Sequence, residues 1–455
     1  MSKKSSPRSR NRQIADSRSS RLSAILQSQL LPVQEMKITR LGAPKHPSPI
    51  GRSVHDHCRV STHVLEDPAH PSVQEFRFEQ AGPRAKLFFD PKNVRAGIVT
   101  CGGLCPGLNN VIRSLFLELH HAYGVKEVLG FRDGYQGLDP KRGREPIVLT
   151  PEFVDDIHRE GGTVLGTSRG PVDTRIAVEN LIRRKVDILF TIGGDGTQRG
   201  GNELFQIAHG LGHRLAVVGI PKTIDNDVPF TSRTFGFLTA VEQASQVLAC
   251  AHTEARSVRN GIAVVKLMGR HAGFIAVGAT VANQDVNFCL IPEIPFRLGG
   301  PGGFLAALKD RVVRRAHAVI VVAEGAGQDL LKNTGGEKDA SGNIKLKDIG
   351  IFLRGEIEKY FKAEGIEVTL RYIDPSYIIR SVPASAYDAV QCDLFARNAV
   401  HAAMAGKTGL IIGLLHDKFI HVPIDRLASQ TKRVDPDSMA WGAVLAATGQ
   451  PTAFA

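Results

Sequence analysis

D-I-L-F-T-I-G-G-D-G-T-Q-R-G-G (187–201) and, after a segment of helical character, L-A-V-V-G-I-P-K-T-I-D-N-D (215–227) make up the most informative part of this 455-residue chain. Two apolar runs of β type each end in a turn rich in Gly or Asp. In open α/β sheets, ligands bind at the carboxyl ends of the strands. Gly193, Gly194 and Gly196 remove side chains where a polyphosphate approaches backbone N–H groups. Asp195 stands among these glycines, placed to meet a phosphate-bound Mg²⁺ through oxygen ligands. Asp225 and Asp227 bring two more carboxylates to the next strand end, where one can act as general base on a hydroxyl. This stretch alone predicts phosphoryl transfer.

The alternation extends in both directions. Upstream, Arg95–Thr100 reads as a strand, C-G-G-L-C-P-G (101–107) as its turn, and Asn109–His121 as a helix. Val111, Ile112, Leu115, Phe116 and Leu119 recur there at helical spacing. A strand over 127–131 ends in R-D-G-Y-Q-G. Helices are predicted near 151–160 and 175–185, with the turn G-G-T-V-L-G-T-S-R-G-P (161–171) between them. Downstream, strands are predicted at 262–267, 286–291, 318–323 and 369–373, and helices at 239–254, 349–361 and 386–405. Residues 333–347 read as a polar surface loop. Alternating strands and helices argue for parallel sheets covered on both faces.

Composition agrees: 42% hydrophobic and 22% charged residues suit a soluble globular protein of two or three domains. Of the +12 net charge, +8 lies in residues 1–50, with ten Lys/Arg against two Asp/Glu. The basic balance is thus mostly a property of the tail, and no nucleic-acid partner is expected for the body. Six cysteines are scattered without a C-x-x-C pair, which argues against a zinc ribbon or disulfide scaffold and for a reducing compartment. No apolar run approaches the roughly 18 residues of a membrane span, so no membrane association is expected. The expected location is the cytoplasm; the Arg/Ser-rich start offers a plastid or other organelle address as the alternative. Residues 1–50 read largely as a solvated tail, with a short helix at Leu22–Leu31. Residues 51–92 remain unassigned by pattern.

G-G-D-G-T (193–197) by itself also occurs in NAD kinases and lipid kinases. Joined to P-K-T-I-D-N-D (221–227), it resembles the 6-phosphofructokinase family. The resemblance covers residues 94–455. It includes C-G-G-L-C-P-G-L-N-N-V-I-R (101–113), G-T-S-R-G-P (166–171), T-F-G-F (234–237), V-K-L-M-G-R (265–270), A-E-G (323–325) and Y-I-D-P-S-Y-I-I-R (372–380). A-E-G-A-G-Q-D-L-L (323–331) and H-A-A-M-A-G (401–406) are similar to the plant-type and trypanosome-type ATP-dependent branch.

The resemblance implies an α/β fold: two similar three-layer lobes with mainly parallel sheets and the active site between them. Residues 1–92 would be an N-terminal extension. The larger, nucleotide-binding lobe would comprise 93–236 and 379–425, and the smaller, sugar-phosphate lobe 237–378 and 426–455. The implied reaction moves a phosphoryl group from ATP to the 1-hydroxyl of fructose 6-phosphate. Asp225 would be the base, Asp227 its support, and Arg169 the cation on the transferring group. Asp195 would hold Mg²⁺. The ATP positions are Gly103, Tyr135, Arg169, Gly170, Gly194, Asp195, Gly196, Thr197 and Gly200. The fructose 6-phosphate positions are Thr223, Asp225, Met268, Gly269, Arg270, Glu324, Arg371, Tyr377 and Arg380. Arg371 would reach the neighbour's site, which implies a homo-oligomer, a tetramer or dimer.

Three departures from bacterial members stand out. Leu104-Cys105 replace an Asp of the first turn. Gly261 falls where a phosphate-binding arginine is found, with Lys266 a candidate to compensate. Leu117 replaces an effector-binding arginine. Donor choice turns on two positions: Gly196 leaves room for the α-phosphate of ATP, whereas Lys222 occurs in pyrophosphate users. The expected donor is ATP. The alternatives are a pyrophosphate-dependent enzyme and a catalytically silent regulatory subunit, and the latter should lack Asp225, Asp195 or Arg169.

Overall fold

Runs that are apolar on both faces become central strands of a parallel sheet, because both faces are covered by helices. The computed structural model describes residues 33–64, 74–170, 172–331, 345–429 and 431–454. The chain first lays down β1 (Gln34–Glu35), β2 (Arg59–Ser61), β3 (Phe76–Gln80), β4 (Arg95–Thr100), β5 (Glu127–Phe131), β6 (Ile147–Val148), β7 (Ile188–Gly193) and β8 (Ala216–Pro221). It then leaves for a second sheet of β9 (Gly261–Leu267), β10 (Phe288–Leu290), β11 (His317–Ala323) and β12 (Thr369–Ile373). It returns with β13 (Leu410–Leu415) and β14 (Lys418–Pro423). The larger sheet has the order β1-β3-β14-β13-β8-β7-β4-β5-β6, with β2 beside β3. Its centre, β13 to β5, is parallel. Every residue of β7 and β8 is buried. The smaller sheet, β10-β11-β9-β12, is parallel throughout.

The covering helices are α1 (Leu108–Leu117), α2 (Thr174–Arg183), α3 (Asp195–Gly210), α4 (Phe237–Arg256), α5 (Phe274–Asn283), α6 (Phe304–Arg315), α7 (Ile349–Ala363), α8 (Ala386–Met404) and α9 (Met439–Thr448). Asp173, Asp348, Ser385 and Ser438 cap α2, α7, α8 and α9 through their side chains. One apolar core runs from Ile98, Phe190 and Val218 through α1 and α8 to Ala244, Val265 and Val321. The two sheets are therefore joined by buried contacts. A second core packs α6 and α7 on the other face of the small sheet and takes in Phe454 from the C-terminus.

Three expectations need adjustment. The helix predicted at 109–121 is α-helical to Leu117 and continues as a π-helical turn over Glu118–Ala122, where buried Glu118 pairs with Arg397 of α8. The helix predicted near 151–160 ends at Val154, and a short 3₁₀ turn follows at Ile157–Arg159. The chain must then pass Ser381 so closely that a Cβ on Gly161 would lie 1.8 Å from its carbonyl oxygen. The tail reading fails over 34–47, where Thr39–Arg40 pairs with Lys407–Thr408 and His46–Pro47 pairs with Lys86–Leu87. The helix at Leu22–Leu31 and most of the loop at 333–347 lie outside the described residues.

The unassigned 51–92 segment supplies β2 and β3, and buried charges explain why pattern could not place it. Glu79 accepts hydrogen bonds from Arg84 at 2.7 Å and from His421 at 3.0 Å, and it pairs with Lys407, which is 1% exposed. Asp56 also receives Arg84 at 2.7 Å. Burial pushes the Glu79 carboxyl up, but the hydrogen bond from His421 and the charges of His421 and Lys407 outweigh it and hold it well below the usual carboxylate range. Lys407→Met would strand this carboxylate. Loss of one partner of a buried pair costs about 3–5 kcal/mol. A matching drop in unfolding free energy, measured in urea at neutral pH, is the expected result, shrinking as acid protonates Glu79. A variant as stable as the parent would show that the cluster does not lock the extension to the sheet.

Candidate active site

Most of the predicted residues stand at the carboxyl ends of strands in the two sheets. After β4, the 101–107 turn is held to the 166–169 segment. Thr100 Oγ1 donates to Gly166 O at 2.7 Å, Thr167 Oγ1 to Gly102 O at 2.7 Å, and Gly102 N to Ser168 O at 3.2 Å. This brings Arg169 onto Gly103, where a Cβ would lie 3.3 Å from the guanidinium. After β8, Lys222 is 6% exposed and its Nζ donates to Gly103 O at 2.5 Å. Burial lowers the Lys222 pKa, and the Arg169 charge adds to this. The two cations therefore stand on the same turn.

After β7, helix α3 starts at Gly194 without a side-chain cap, so its first N–H groups are available to an anion. Asp195 is its first residue, exposed to the cleft. Although the side chain is open to solvent on one side, the protein packed around its other side desolvates the carboxyl and, with the Asp227 charge, raises it. A Cβ on Gly196 would meet only the Arg199 guanidinium, at 4.0 Å. Thr197 is buried, and Tyr135 and Gly200 sit beneath the turn: the Tyr135 hydroxyl donates to Thr197 O at 2.6 Å, and its ring lies 2.7 Å from where a Gly200 Cβ would be. Both thus act on the turn from below. Gly170, at φ 101°, ends the Arg169 segment on the exposed side.

The loop from Thr223 to Thr234 carries the candidate base. Thr223 Oγ1 donates to Asp227 Oδ1 at 2.8 Å and accepts from Asp225 N at 3.2 Å. Asn226, at φ 57°, turns the chain so that both carboxylates project from one bend, and its Oδ1 accepts from Thr234 N at 3.0 Å. Asp225 meets the second sheet, where its Oδ2 accepts from Arg270 N at 3.4 Å. Its Oδ1 is buried and, among the described residues, has no hydrogen-bond partner. Burial, then the charges of Asp227 and Glu324, push the Asp225 carboxyl up to about 8.

On the small-sheet side, Met268, Gly269 and Arg270 follow β9, and Glu324 follows β11. Gly269 has φ 132°, and a Cβ there would strike Ala272 O at 2.6 Å, so this turn requires glycine. Burial raises the Glu324 carboxyl, and Arg270, Lys266 and Arg380 lie within its electrostatic reach. The Arg380 guanidinium stacks at 4.6 Å on the ring of Tyr377, which is 75% exposed. Arg371 stays outside this cluster: it is exposed on edge strand β12, 3.4 Å from Glu254.

Lys266 is engaged by Asp348 at 2.6 Å and Asp374 at 2.9 Å, so the expected compensation fails: its charge is already neutralised. No arginine could stand at 261 either, since a Cβ there would meet Ala255 O at 2.0 Å. Sequence reading also missed Gln198, whose Nε2 donates to Gly193 O at 2.8 Å and bridges the ends of β7 and β8. It missed Lys432, whose Nζ donates to Thr231 O at 2.7 Å. Nothing in the motif spacing pointed to a residue 205 positions beyond Asp227.

The family model described as Phosphofructokinase matches residues 95–403. The ATP-dependent 6-phosphofructokinase of Borreliella burgdorferi is 48% identical over 384 residues, covering 83% of this chain and 86% of that protein. ATP-dependent 6-phosphofructokinase 1 of Arabidopsis thaliana is 47% identical over 397 residues, covering 86% of this chain and 83% of its own length. The solved structure of the pyrophosphate-dependent phosphofructokinase from Marinobacter aquaeolei matches with a TM-score of 0.65 at 22% identity, over 79% of this chain and 93% of that one. That likeness shows the fold.

Proposed function

Because the chain belongs to the phosphofructokinase family, we propose that this cleft transfers the terminal phosphoryl group of ATP to the 1-hydroxyl of fructose 6-phosphate, giving ADP and fructose 1,6-bisphosphate. The observation that carries this reading is the unpartnered, buried Oδ1 of Asp225, placed where the donor turns of the large sheet meet the 268–270 turn of the small one. A carboxylate with a pKa of about 8 is matched to removing a proton near neutral pH.

The donor polyphosphate lies on the N-terminus of α3, between Gly103, Gly170 and Gly194–Thr197. Arg169 meets the charge that develops on the transferring group, and Lys222 holds the Gly103 carbonyl beside it. Arg270, Arg380 and Glu324 bind the sugar phosphate and its hydroxyls, with Met268, Gly269, Thr223 and Tyr377 shaping that side. The 1-hydroxyl gives its proton to Asp225 as its oxygen attacks phosphorus in line; the work is mostly positioning and charge stabilisation. Asp195 fits Mg²⁺: an exposed carboxylate beside a phosphate site, with Asp227 within electrostatic reach, matches an ion that takes one or two carboxylates plus phosphate oxygens. When bound, the ion neutralises charge on the bridging phosphate oxygens.

Strand membership supports reading 93–236 with 379–425 as the donor lobe and 237–378 as the sugar lobe, and the packing of Phe454 in the small-sheet core supports adding 426–455 to the latter. The exposure of Arg371 on an edge strand supports reading it as a residue that serves a neighbour in a homo-oligomer. The cytoplasmic reading rests on six free cysteines, four of them buried. Among the described residues, no helix is long and apolar enough to cross a membrane.

The test is activity with ATP and with pyrophosphate, side by side. The sharper form uses Gly196→Asp. The unliganded fold has room for this side chain, so the variant should melt within about a degree or two of the parent, as surface changes within about 0.5 kcal/mol do. It should nonetheless lose most of its ATP-dependent rate, because the new carboxylate repels the α-phosphate. An unchanged ATP rate would remove position 196 from donor choice.

A further inference from the structure

The loop that carries Asp225 and Asp227 is held in an unusual shape. Two non-glycine residues in it, Asn226 and Phe230, have left-handed backbones with φ of 57° and 56°. Such conformations persist when the surroundings fix them. Part of the fixing is local, through Thr223, Asn226 and Thr234. The large sheet adds Leu414 O, which accepts from Ser232 N at 2.6 Å, and the rings of Phe76 and Phe78 against Phe230; a further tie comes from a segment near the C-terminus that the reaction as described does not use.

Residues 432–434 cross from one side of the cleft to the other. Lys432 N donates to Asp227 O at 2.9 Å. Its side chain returns to the same loop, with Nζ donating to Thr231 O at 2.7 Å and Ser232 O at 3.0 Å. The same ammonium lies 5.0 Å from the ring centroid of Phe274, the first residue of α5 on the small-sheet side. Two residues on, Val434 N donates to Glu293 Oε1 at 2.8 Å. Glu293 accepts in turn from Gly273 N at 3.0 and 3.1 Å. Lys432, Val434 and Glu293 therefore tie the loop after β8 to the turn after β9.

We propose that residues 432–434 form a clasp across the catalytic cleft, and that Lys432 is the positioning residue through which it aligns the Asp225 loop with the 268–273 turn. The physical reason lies in the way the two sides otherwise meet. The direct bond between them at the reacting centre, Arg270 N to Asp225 Oδ2, is long at 3.4 Å. Transfer requires the base and the sugar-binding turn to hold one separation, and a misplacement of about 1 Å can cost about 10²-fold in rate. An ammonium suits the clasp. It has three donors, two of which satisfy loop carbonyls, while its charge rests on an aromatic face belonging to the other side. Lys432 does not touch the reacting atoms and acts through the loop.

The inference rests on Asp225 being the base, and the test separates the two ideas. In the full chain, Lys432→Met should lower kcat at least tenfold while the KM values for ATP and fructose 6-phosphate stay within threefold. Lys432→Arg retains donors and charge and should recover most of that loss. If the Met variant folds poorly, Phe274→Leu, which removes the aromatic face and leaves the carbonyl bonds, should show the same split between kcat and KM at smaller amplitude. A Met variant with kcat within twofold of the parent would overturn the clasp. So would a raised KM at unchanged kcat, or an Arg variant as impaired as Met. Asp225→Asn with near-parental activity would instead overturn the base assignment, whatever Lys432→Met does.

Discussion

Asp225→Asn is expected to lower kcat by about 10²–10⁴-fold, the range for loss of a positioned general base, with little change in the KM values. Asparagine keeps the shape and can still accept from Arg270 N, but it cannot take the hydroxyl proton. The pH profile gives a second reading. In the free enzyme the carboxyl is pushed up to about 8 by burial and by Asp227 and Glu324. The base works only when ionised, so kcat/KM, which reports the free enzyme, should rise with pH and level off near 8. That inflection should vanish in the variant. The same shift predicts a gain in stability. Between the ordinary carboxyl value of 3.8 and about 8, the folded chain holds a proton that the unfolded chain has released. Native stability therefore falls as pH rises through that window. Asparagine escapes this penalty, so the variant should melt above the parent, by a margin that grows from about pH 4 to about pH 8 and is then constant. Lower activity with higher stability is the pattern of a site shaped for function. A variant that loses activity and also melts lower at pH 8 would mean that Asp225 is a structural anchor.

The sequence made the strand ends legible because each carries its own local signature. Gly193–Thr197, Lys222–Asp227 and Met268–Arg270 are contiguous, and the polar turn follows directly on a buried run. Parallel central strands such as β7 and β8 are apolar throughout, so they stood out without any alignment of faces. What stayed hidden is what depends on distant pairings. β1, β2 and β3 are short strands at one end of the large sheet, rich in charged residues, and Glu79, Arg84, Lys407 and His421 are buried only because they find one another across more than 300 positions. Lys266 shows the converse. It has the right charge and lies near the right motif, yet Asp348 and Asp374 occupy it. Tyr135 was expected at the donor site; its position beneath α3, with its hydroxyl committed to Thr197 O, is a matter of packing that no spacing reveals.

Arg169→Lys is expected to lower kcat by about 10²–10³-fold, the effect of losing one preorganised partner of transition-state charge. The KM for ATP should change no more than a few fold. The backbone segment of Arg169 is fixed by the Thr167 and Ser168 contacts to Gly102. Its guanidinium lies over Gly103, exposed to the cleft. The Lys222 ammonium on the same turn adds repulsion, since each cation disfavours the charge of the other. A carboxylate partner would relieve that repulsion in the resting protein, but it would also cancel the charge needed in the reaction. Among the described residues neither cation has a carboxylate within ion-pair distance, and leaving both to be neutralised by an incoming polyphosphate places the relief in the bound state and most of all where charge develops. Lysine preserves the charge but not the planar pair of donors, so it should bind the donor and fail to follow the phosphoryl oxygens as they flatten. Steady-state kinetics with ATP, with binding of a non-hydrolysable ATP analogue by calorimetry, separates the effects. Retained affinity with lost turnover is the expected outcome. Lost affinity with retained turnover at saturation would make Arg169 a ground-state ligand of the nucleotide and leave Lys222 as the cation that meets the transferring group.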